Sequence, residues 1–301
     1  MRCHAILNSR AGTVIGAGPA AFEAKLTDAF RKAGHSISVE TVEPAQIGPR
    51  LAAAAREGYD ALIIGGGDGS VNAAATALLG RKTALGVLPL GTLNWLAQDL
   101  NISLDVDEAI RQLAEAEPQE IDVGEVNGSI FLCNSFIGLP PMISERRQDL
   151  RGQPIGERLR GYLALPKELA RSVRRLALLI DDERAPRLTR ALTVVISNNP
   201  YRVEAALMPK RRALDEGRLG LYISKHRTIS QTVFLMVRAA LGRWQGDPNL
   251  ESQELQRLTI RSRAKRLRVS NDGELLWLDT PLRYRIRPKA LTVLRPREAA
   301  A

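Results

Sequence analysis

The sequence predicts an α/β N-terminal domain with an open, mostly parallel sheet, followed by a mainly β C-terminal domain. Three observations carry this. Up to Pro118, short apolar runs alternate with helical patterns; beyond it, strand and turn signals dominate; and the net charge changes sign between the two halves.

The apolar runs of the first part are residues 3–7, 36–42, 61–64 and 85–88. Runs this short, bounded by Gly and Pro and lacking polar alternation, suit a parallel sheet covered on both faces. Helical patterns lie between and after them at 20–33, 45–57, 71–79, 93–100 and 106–116. Pro19 and Pro44 stand at first-turn positions, and Gly34 and Gly58 just past the helix ends, the expected asymmetry of helix boundaries. Strand and helix in strict succession mean an open α/β sheet.

In the second part, 121–126 and 130–136 flank Asn127-Gly128, the strongest two-residue hairpin signal in the chain. Segments 192–197, 218–224, 255–262, 267–270 and 274–278 also read as strands, with helical segments near 157–175 and 229–241. The Ala299–Ala301 tail is expected to be disordered.

Hydrophobic residues make up 45% and charged residues 25%, which excludes a disordered chain. No apolar stretch reaches the roughly 18 residues of a membrane span. Cys3 and Cys133 are isolated and form no metal or redox spacing, so a reducing, cytoplasmic setting is expected. Residues 1–150 carry a net charge of −6 and residues 151–301 a net of +16. The second half therefore calls for an anionic partner, unless the arginines merely reflect a general preference for that residue. No nucleic-acid recognition module or aromatic platform accompanies the basic residues, so nucleic acid is not expected as a partner.

The chemistry concentrates in loops that follow strands. Gly65-Gly66-Gly67-Asp68-Gly69-Ser70 runs from one strand into a helix that includes Asn72. Glycine lets a backbone turn sharply and approach a phosphate, and the first N–H groups of the following helix then face the anion. Asp68 is unusual beside phosphates, and holding Mg²⁺ would account for it. No Gly-Lys-Ser/Thr follows, and the spacing of a dinucleotide fingerprint is missing. A second loop, Pro89-Leu90-Gly91-Thr92-Leu93-Asn94, and a third, Asn8-Ser9-Arg10-Ala11-Gly12, leave neighbouring strands. Carboxyl ends of parallel strands are where such sheets bind ligands. Thr92 reads either as a helix cap or as a phosphate donor.

These loops, with Asp272-Gly273-Glu274, resemble in order and spacing the diacylglycerol kinase catalytic-domain family, whose fold is shared with NAD kinase. The resemblance implies ATP as phosphate donor, Mg²⁺ as cofactor and a lipid hydroxyl as acceptor, diacylglycerol-like or sphingoid-like, in a cleft between two domains. It implies domains at 1–118, with 288–298 returning to the first, and at 119–287. ATP-binding residues by resemblance are Asn8, Ser9, Arg10, Ala11, Gly12, Thr41, Gly66, Gly67, Asp68, Gly69, Ser70, Asn72, Thr92 and Asn94. Glu274 would be the general base, with Asp68 beside it in catalysis. Glu216 and Asp215, with the carbonyls of Ala213 and Arg218, would hold a structural metal; an acidic turn is the alternative. Asp272-Gly273 also reads as simple hairpin chemistry. The chain departs from the family pattern at Ser9, Ser70, Ala73 and Trp95, the last two replacing acids, and has Val203-Glu204-Ala205-Ala206 where glycines are expected.

A lipid acceptor implies peripheral contact with an anionic membrane surface. Arg158, Arg160, Lys167, Arg171, Arg174 and Arg175 share a segment with several leucines, which suits an interface or a solvated helix. A second basic cluster, Arg261, Arg263, Lys265, Arg266 and Arg268, could face lipid or water. The apolar run 233–237 is expected in the core. A homodimer is left open. The competing readings are an NAD kinase-like phosphotransferase and a nucleotide- or lipid-binding protein without turnover.

Overall fold

The computed structural model describes residues 1–11, 18–139, 141, 175–182, 185–204 and 210–297. Gly12, most of the basic segment 157–175, Ala205, Ala206 and the Ala299–Ala301 tail lie outside these residues. The chain divides into two compact units, Met1–Val123 with Pro288–Ala301, and Gly124–Arg287. Among the described residues no helix is long and apolar enough to cross a membrane.

The first unit alternates strand and helix: β1 (Arg2–Asn8), α1 (Pro19–Lys32), β2 (Ser36–Val42), α2 (Pro44–Ala54), β3 (Ala61–Gly66), α3 (Asp68–Leu78), β4 (Ala84–Pro89), α4 (Trp95–Asp99) and α5 (Val106–Ala114). Both α1 and α2 begin with the proline expected there. The strands run in the order β2-β1-β3-β4, all parallel. The end of β16 (Leu282–Arg295) adds a fifth parallel strand through Val293 opposite Leu85. Every residue of β3 and β4 is buried, whereas no residue of edge strand β2 is fully buried, which explains the unbroken apolar runs of the central strands. Helix α5 is capped by Asp105, which accepts from the Glu108 amide at 2.9 Å, and buries Ile110 and Leu113.

The second unit contains two antiparallel sheets. One has the order β12 (Leu250–Leu255), β11 (Leu219–Ser224), β10 (Thr193–Asn198), β7 (Asn134–Gly138), β14 (Arg266–Asn271), β15 (Glu274–Asp279). The other joins the start of β16 to β13 (Arg257–Ser262), β8 (Leu176–Asp181) and β9 (Arg187–Ala191). Side chains from both, among them Phe131, Ile137, Ile196, Leu221, Ile260 and Leu282, form one buried core. An α/β unit with a parallel sheet plus a separate β unit is the predicted fold class.

Three local expectations change. The run 130–136 is broken into β6 (Ser129–Phe131) and β7, with a bend at Leu132-Cys133. The run 255–262 is two strands, β12 and β13, meeting at Gln256. Within α6 (Ile229–Ala240), Leu235 is buried against Tyr222 and Trp244, but Phe234 and Val237 are exposed and lie outside the core. An uninterrupted apolar run hides this split, because residues one apart on a helix point about 100° apart. The Asn127-Gly128 hairpin forms as predicted between β5 (Glu117–Val126) and β6, with positive φ at both residues and Val126 opposite Ser129.

Candidate functional site

In the first unit, β1 lies between β2 and β3. The chain leaves β1 toward β2 and returns to place β3 on its other side, so the loops after β1 and β3 diverge at a topological switch point, the usual ligand crevice of such sheets. Register aligns the strand ends: Leu7 opposite Gly65, and Gly66 opposite Pro89. The loops beginning at Asn8, Gly67 and Leu90 therefore emerge at one edge.

Each loop is held by its own polar groups. Asn8 Oδ1 accepts from the Arg10 amide at 3.0 Å, and the Asn8 carbonyl from the Ala11 amide at 3.0 Å. The Ser9 hydroxyl and Arg10 guanidinium both donate to Glu43, at 2.9 and 3.2 Å. Thr41 donates to Glu23 at 2.9 Å. In the third loop, Asn94 adopts a left-handed conformation (φ 49°), accepts from the Gly91 amide and donates to the Gly91 carbonyl, both at 2.9 Å. Thr92 is exposed and caps no helix.

Asp68 ties two of these loops together. Its Oδ2 accepts from the Asn94 amide at 3.1 Å and its Oδ1 from the Trp95 amide at 2.8 Å. It thereby satisfies two N–H groups at the start of α4, the work of a capping side chain supplied from another element. The carboxylate therefore has a structural role at this turn, joining one loop to the next. The backbones also touch: a Cβ on Gly91 would stand 2.5 Å from Gly67 Cα. Gly91→Ala is expected to force the loops apart and destabilise the protein by about 1–3 kcal/mol, read from its denaturant midpoint.

Gly69 is different. It is exposed, has no positive φ, and a Cβ there would meet nothing within 4 Å. Glycine in the first turns of α3 costs up to about 1 kcal/mol relative to alanine, and no packing among the described residues requires it. The open space lies at the N-terminus of α3, where the Ser70 and Val71 amides donate back to the Gly67 carbonyl at 2.9 and 3.1 Å. Helix N-termini of this kind are general anion-binding positions.

The second unit has its own polar cluster. Asp272 and Gly273 form the turn between β14 and β15, with φ 48° and 89° and Asn271 opposite Glu274. The Asp272 carboxylate reaches across to β7: Oδ2 accepts from the Leu132 amide at 2.6 Å, Oδ1 from Cys133 and Asn134, both at 2.9 Å. Those three bonds bend the chain at Leu132-Cys133 and end the predicted strand early. Buried Arg211 donates to the Leu132 and Asn198 carbonyls at 2.6 and 3.0 Å. Tyr201 donates its hydroxyl to Asn134 Oδ1 and its amide to Tyr222 Oη, at 2.9 Å for the latter. Burial raises the Tyr222 phenol above its ordinary pKa, against the lowering effect of that amide. Among the described residues, Asn199 Nδ2 and Asn271 Oδ1 are buried without a hydrogen-bond partner, a costly state unless water or a ligand completes it. Glu274 itself is exposed at the start of β15.

The residues expected to hold a structural metal are arranged otherwise. Glu216 is bidentate to Arg212, with Oε1 at 2.7 Å from Nε and Oε2 closer still to Nη2. The ion pair raises the Arg212 pKa above its ordinary value. The Arg218 carbonyl accepts from the Asn199 amide at 3.0 Å, and Asp215 is exposed. A guanidinium across both oxygens is the donor set of an ion pair and does not fit a metal. Among the described residues, no group of three or more His, Cys, Asp or Glu is placed to hold one. Mg²⁺ that arrives with a triphosphate needs no such group, since phosphates and water supply most of its ligands. Of these features, the amide-binding roles of Asp68 and Asp272 and the participation of Arg211 and Tyr201 were missed in the sequence. Only the turn signal at Asp272-Gly273 hinted at any of them.

Comparison with known proteins places these features in a lineage. The family described as diacylglycerol kinase catalytic domain matches residues 2–126, and the YegS C-terminal NAD kinase beta sandwich-like domain matches 148–295. A diacylglycerol kinase of Staphylococcus saprophyticus is 25% identical over 253 residues, covering 81% of this chain and 80% of that protein. A probable lipid kinase YegS-like protein of Pseudomonas syringae pv. tomato is 39% identical over 105 residues, 34% of each chain. The crystal structure of a diacylglycerol kinase from Bacillus anthracis superposes with a TM-score of 0.74 at 18% identity, covering 98% and 97% of the two chains.

Proposed function

This chain belongs to the diacylglycerol kinase catalytic-domain family and is a lipid kinase, and from that premise we propose that it transfers the γ-phosphate of ATP, with Mg²⁺, to a free hydroxyl of a diacylglycerol-like or sphingoid-like lipid at an anionic membrane surface. The observation that carries the donor side is the open helix N-terminus at Gly69, beside loops pinned together by Asp68. Backbone amides of α3 face the phosphates, and the loops at Asn8–Ala11 and Gly91–Asn94 border them. Asp68 acts as a positioning residue, fixing one loop against another. When bound, Mg²⁺ neutralises charge on the transferring phosphate.

On the acceptor side Glu274 is the general base. Its carboxylate takes the hydroxyl proton as the lipid oxygen bonds to the γ-phosphorus, the bond to the bridging oxygen breaks and ADP leaves. Such transfer asks mainly for positioning and charge neutralisation. The exposed carboxylate of Glu274, beside the orphaned Asn271 Oδ1, supports this assignment.

The test is incubation with labelled ATP, Mg²⁺ and a panel of lipids, with mass spectrometry identifying what gains a phosphate. Labelled diacylglycerol or a sphingoid base is expected; absence of any labelled lipid would overturn the reading. Gly69→Ala probes the donor side: thermal stability holds or rises by up to about 1 kcal/mol, while KM for ATP rises at least tenfold. An unchanged KM would show that the phosphates lie elsewhere.

A further inference from the structure

Helix α6 presents an apolar stripe to solvent. Phe234, Val237 and Leu241 are 63%, 51% and 57% exposed, and their spacing of three and four residues puts them on one face. Three large apolar side chains in such a row are not the scatter expected of an ordinary surface. The helix is anchored beside the stripe, with Leu235 packed on Tyr222 and Trp244, and Arg238, four residues from Phe234, bonded to buried Asp247 at 3.1 Å. The exposed side chains are therefore held outward. Exposed Arg227 precedes the helix and exposed Arg243 follows it. Between residues 225 and 250 the only acid is Asp247, which is already paired with Arg238.

An apolar stripe between cations is the pattern of a helix lying in a bilayer interface, its apolar face among acyl chains and its cations at lipid phosphates. We propose that this face of α6 docks the enzyme on an anionic phospholipid surface, with Phe234, Val237 and Leu241 entering the bilayer. The inference rests on the lipid-kinase reading, because an acceptor dissolved in a bilayer must be reached from its surface.

Flotation with vesicles of phosphatidylcholine and phosphatidylglycerol, without ATP, tests the surface apart from the chemistry. Wild-type protein floats, and Phe234→Ser/Val237→Ser/Leu241→Ser lowers its partition at least tenfold with an unchanged thermal transition. The triple variant phosphorylates a short-chain, water-soluble acceptor at the wild-type rate but loses at least tenfold on long-chain acceptor in vesicles. The Phe234→Trp variant, which needs no loss of apolar surface, gains emission that brominated lipid quenches. Equal flotation of wild type and triple variant, or no quenching of Phe234→Trp, overturns the proposal. So does a wild-type dimer that the triple variant makes monomeric without change in flotation, since the stripe would then cover a second copy. Flotation without phosphorylation of any lipid leaves the surface standing and removes the acceptor assignment.

Discussion

Asp272→Ala is expected to destabilise the protein by about 3–5 kcal/mol, because it strips the acceptor from three backbone amides at once. The amides of Leu132, Cys133 and Asn134 all donate to this one carboxylate, at 2.6, 2.9 and 2.9 Å. Hydrogen bonds to a charged acceptor contribute more than neutral ones, and a buried donor left without a partner carries its full desolvation penalty. A loss of this size is a large part of the roughly 5–15 kcal/mol that holds a typical domain folded. The effect should be seen as a fall in urea midpoint with little change in slope. Asp272→Asn keeps the shape but turns a carboxamide NH2 donor toward backbone N–H donors, and should recover only part of the loss. If alanine at 272 shifts the midpoint by less than about 1 kcal/mol, the carboxylate is not what holds the bend.

Two residues further on, the opposite phenotype is expected. Glu274→Ala should lower kcat for lipid phosphorylation by about 10²–10⁴, the usual contribution of a positioned general base, while the unfolding transition stays within about 0.5 kcal/mol of wild type. Glu274 is exposed, so removing it leaves no buried group unsatisfied. Glu274→Gln keeps the size, cannot accept the proton, and should be as inactive as alanine. Full activity in either variant would move the base elsewhere. The two substitutions separate a neighbouring pair into one residue that holds the fold and one that acts on substrate.

The contrast also shows where the sequence was readable. Asn127-Gly128 and Asp272-Gly273 were legible as turns because positive φ at two successive residues is a local demand that few residue types meet. The buried strands β3 and β4 were legible because a sheet covered on both faces leaves an unbroken apolar run. The glycine-rich loop after β3 was legible because close approach leaves no room for a Cβ, as at Gly65 and Gly66. The amides that Asp68 accepts from, those of Asn94 and Trp95, were not legible because they lie 26 and 27 residues away. The run 130–136 looked like one strand because the carboxylate that breaks it is about 140 residues further along. The pairing of Glu216 with Arg212 was hidden because it depends on how the loop between them folds back. Side-chain direction was equally hidden: Phe234 and Leu235 are adjacent in sequence, and one is exposed while the other is buried.

By itself the sequence determined the class of fold, the order of its strands and helices, the loops at which a phosphate could bind, and the family. All of these rest on short-range physics: hydrophobic period, glycine and proline geometry, and motif spacing. Only the tertiary structure decided what the acids of those loops hold, where a strand ends early, and which side of α6 meets solvent. A carboxylate will accept from any amide or cation brought within 3 Å, and which one arrives depends on chain folding over distances that no local pattern encodes.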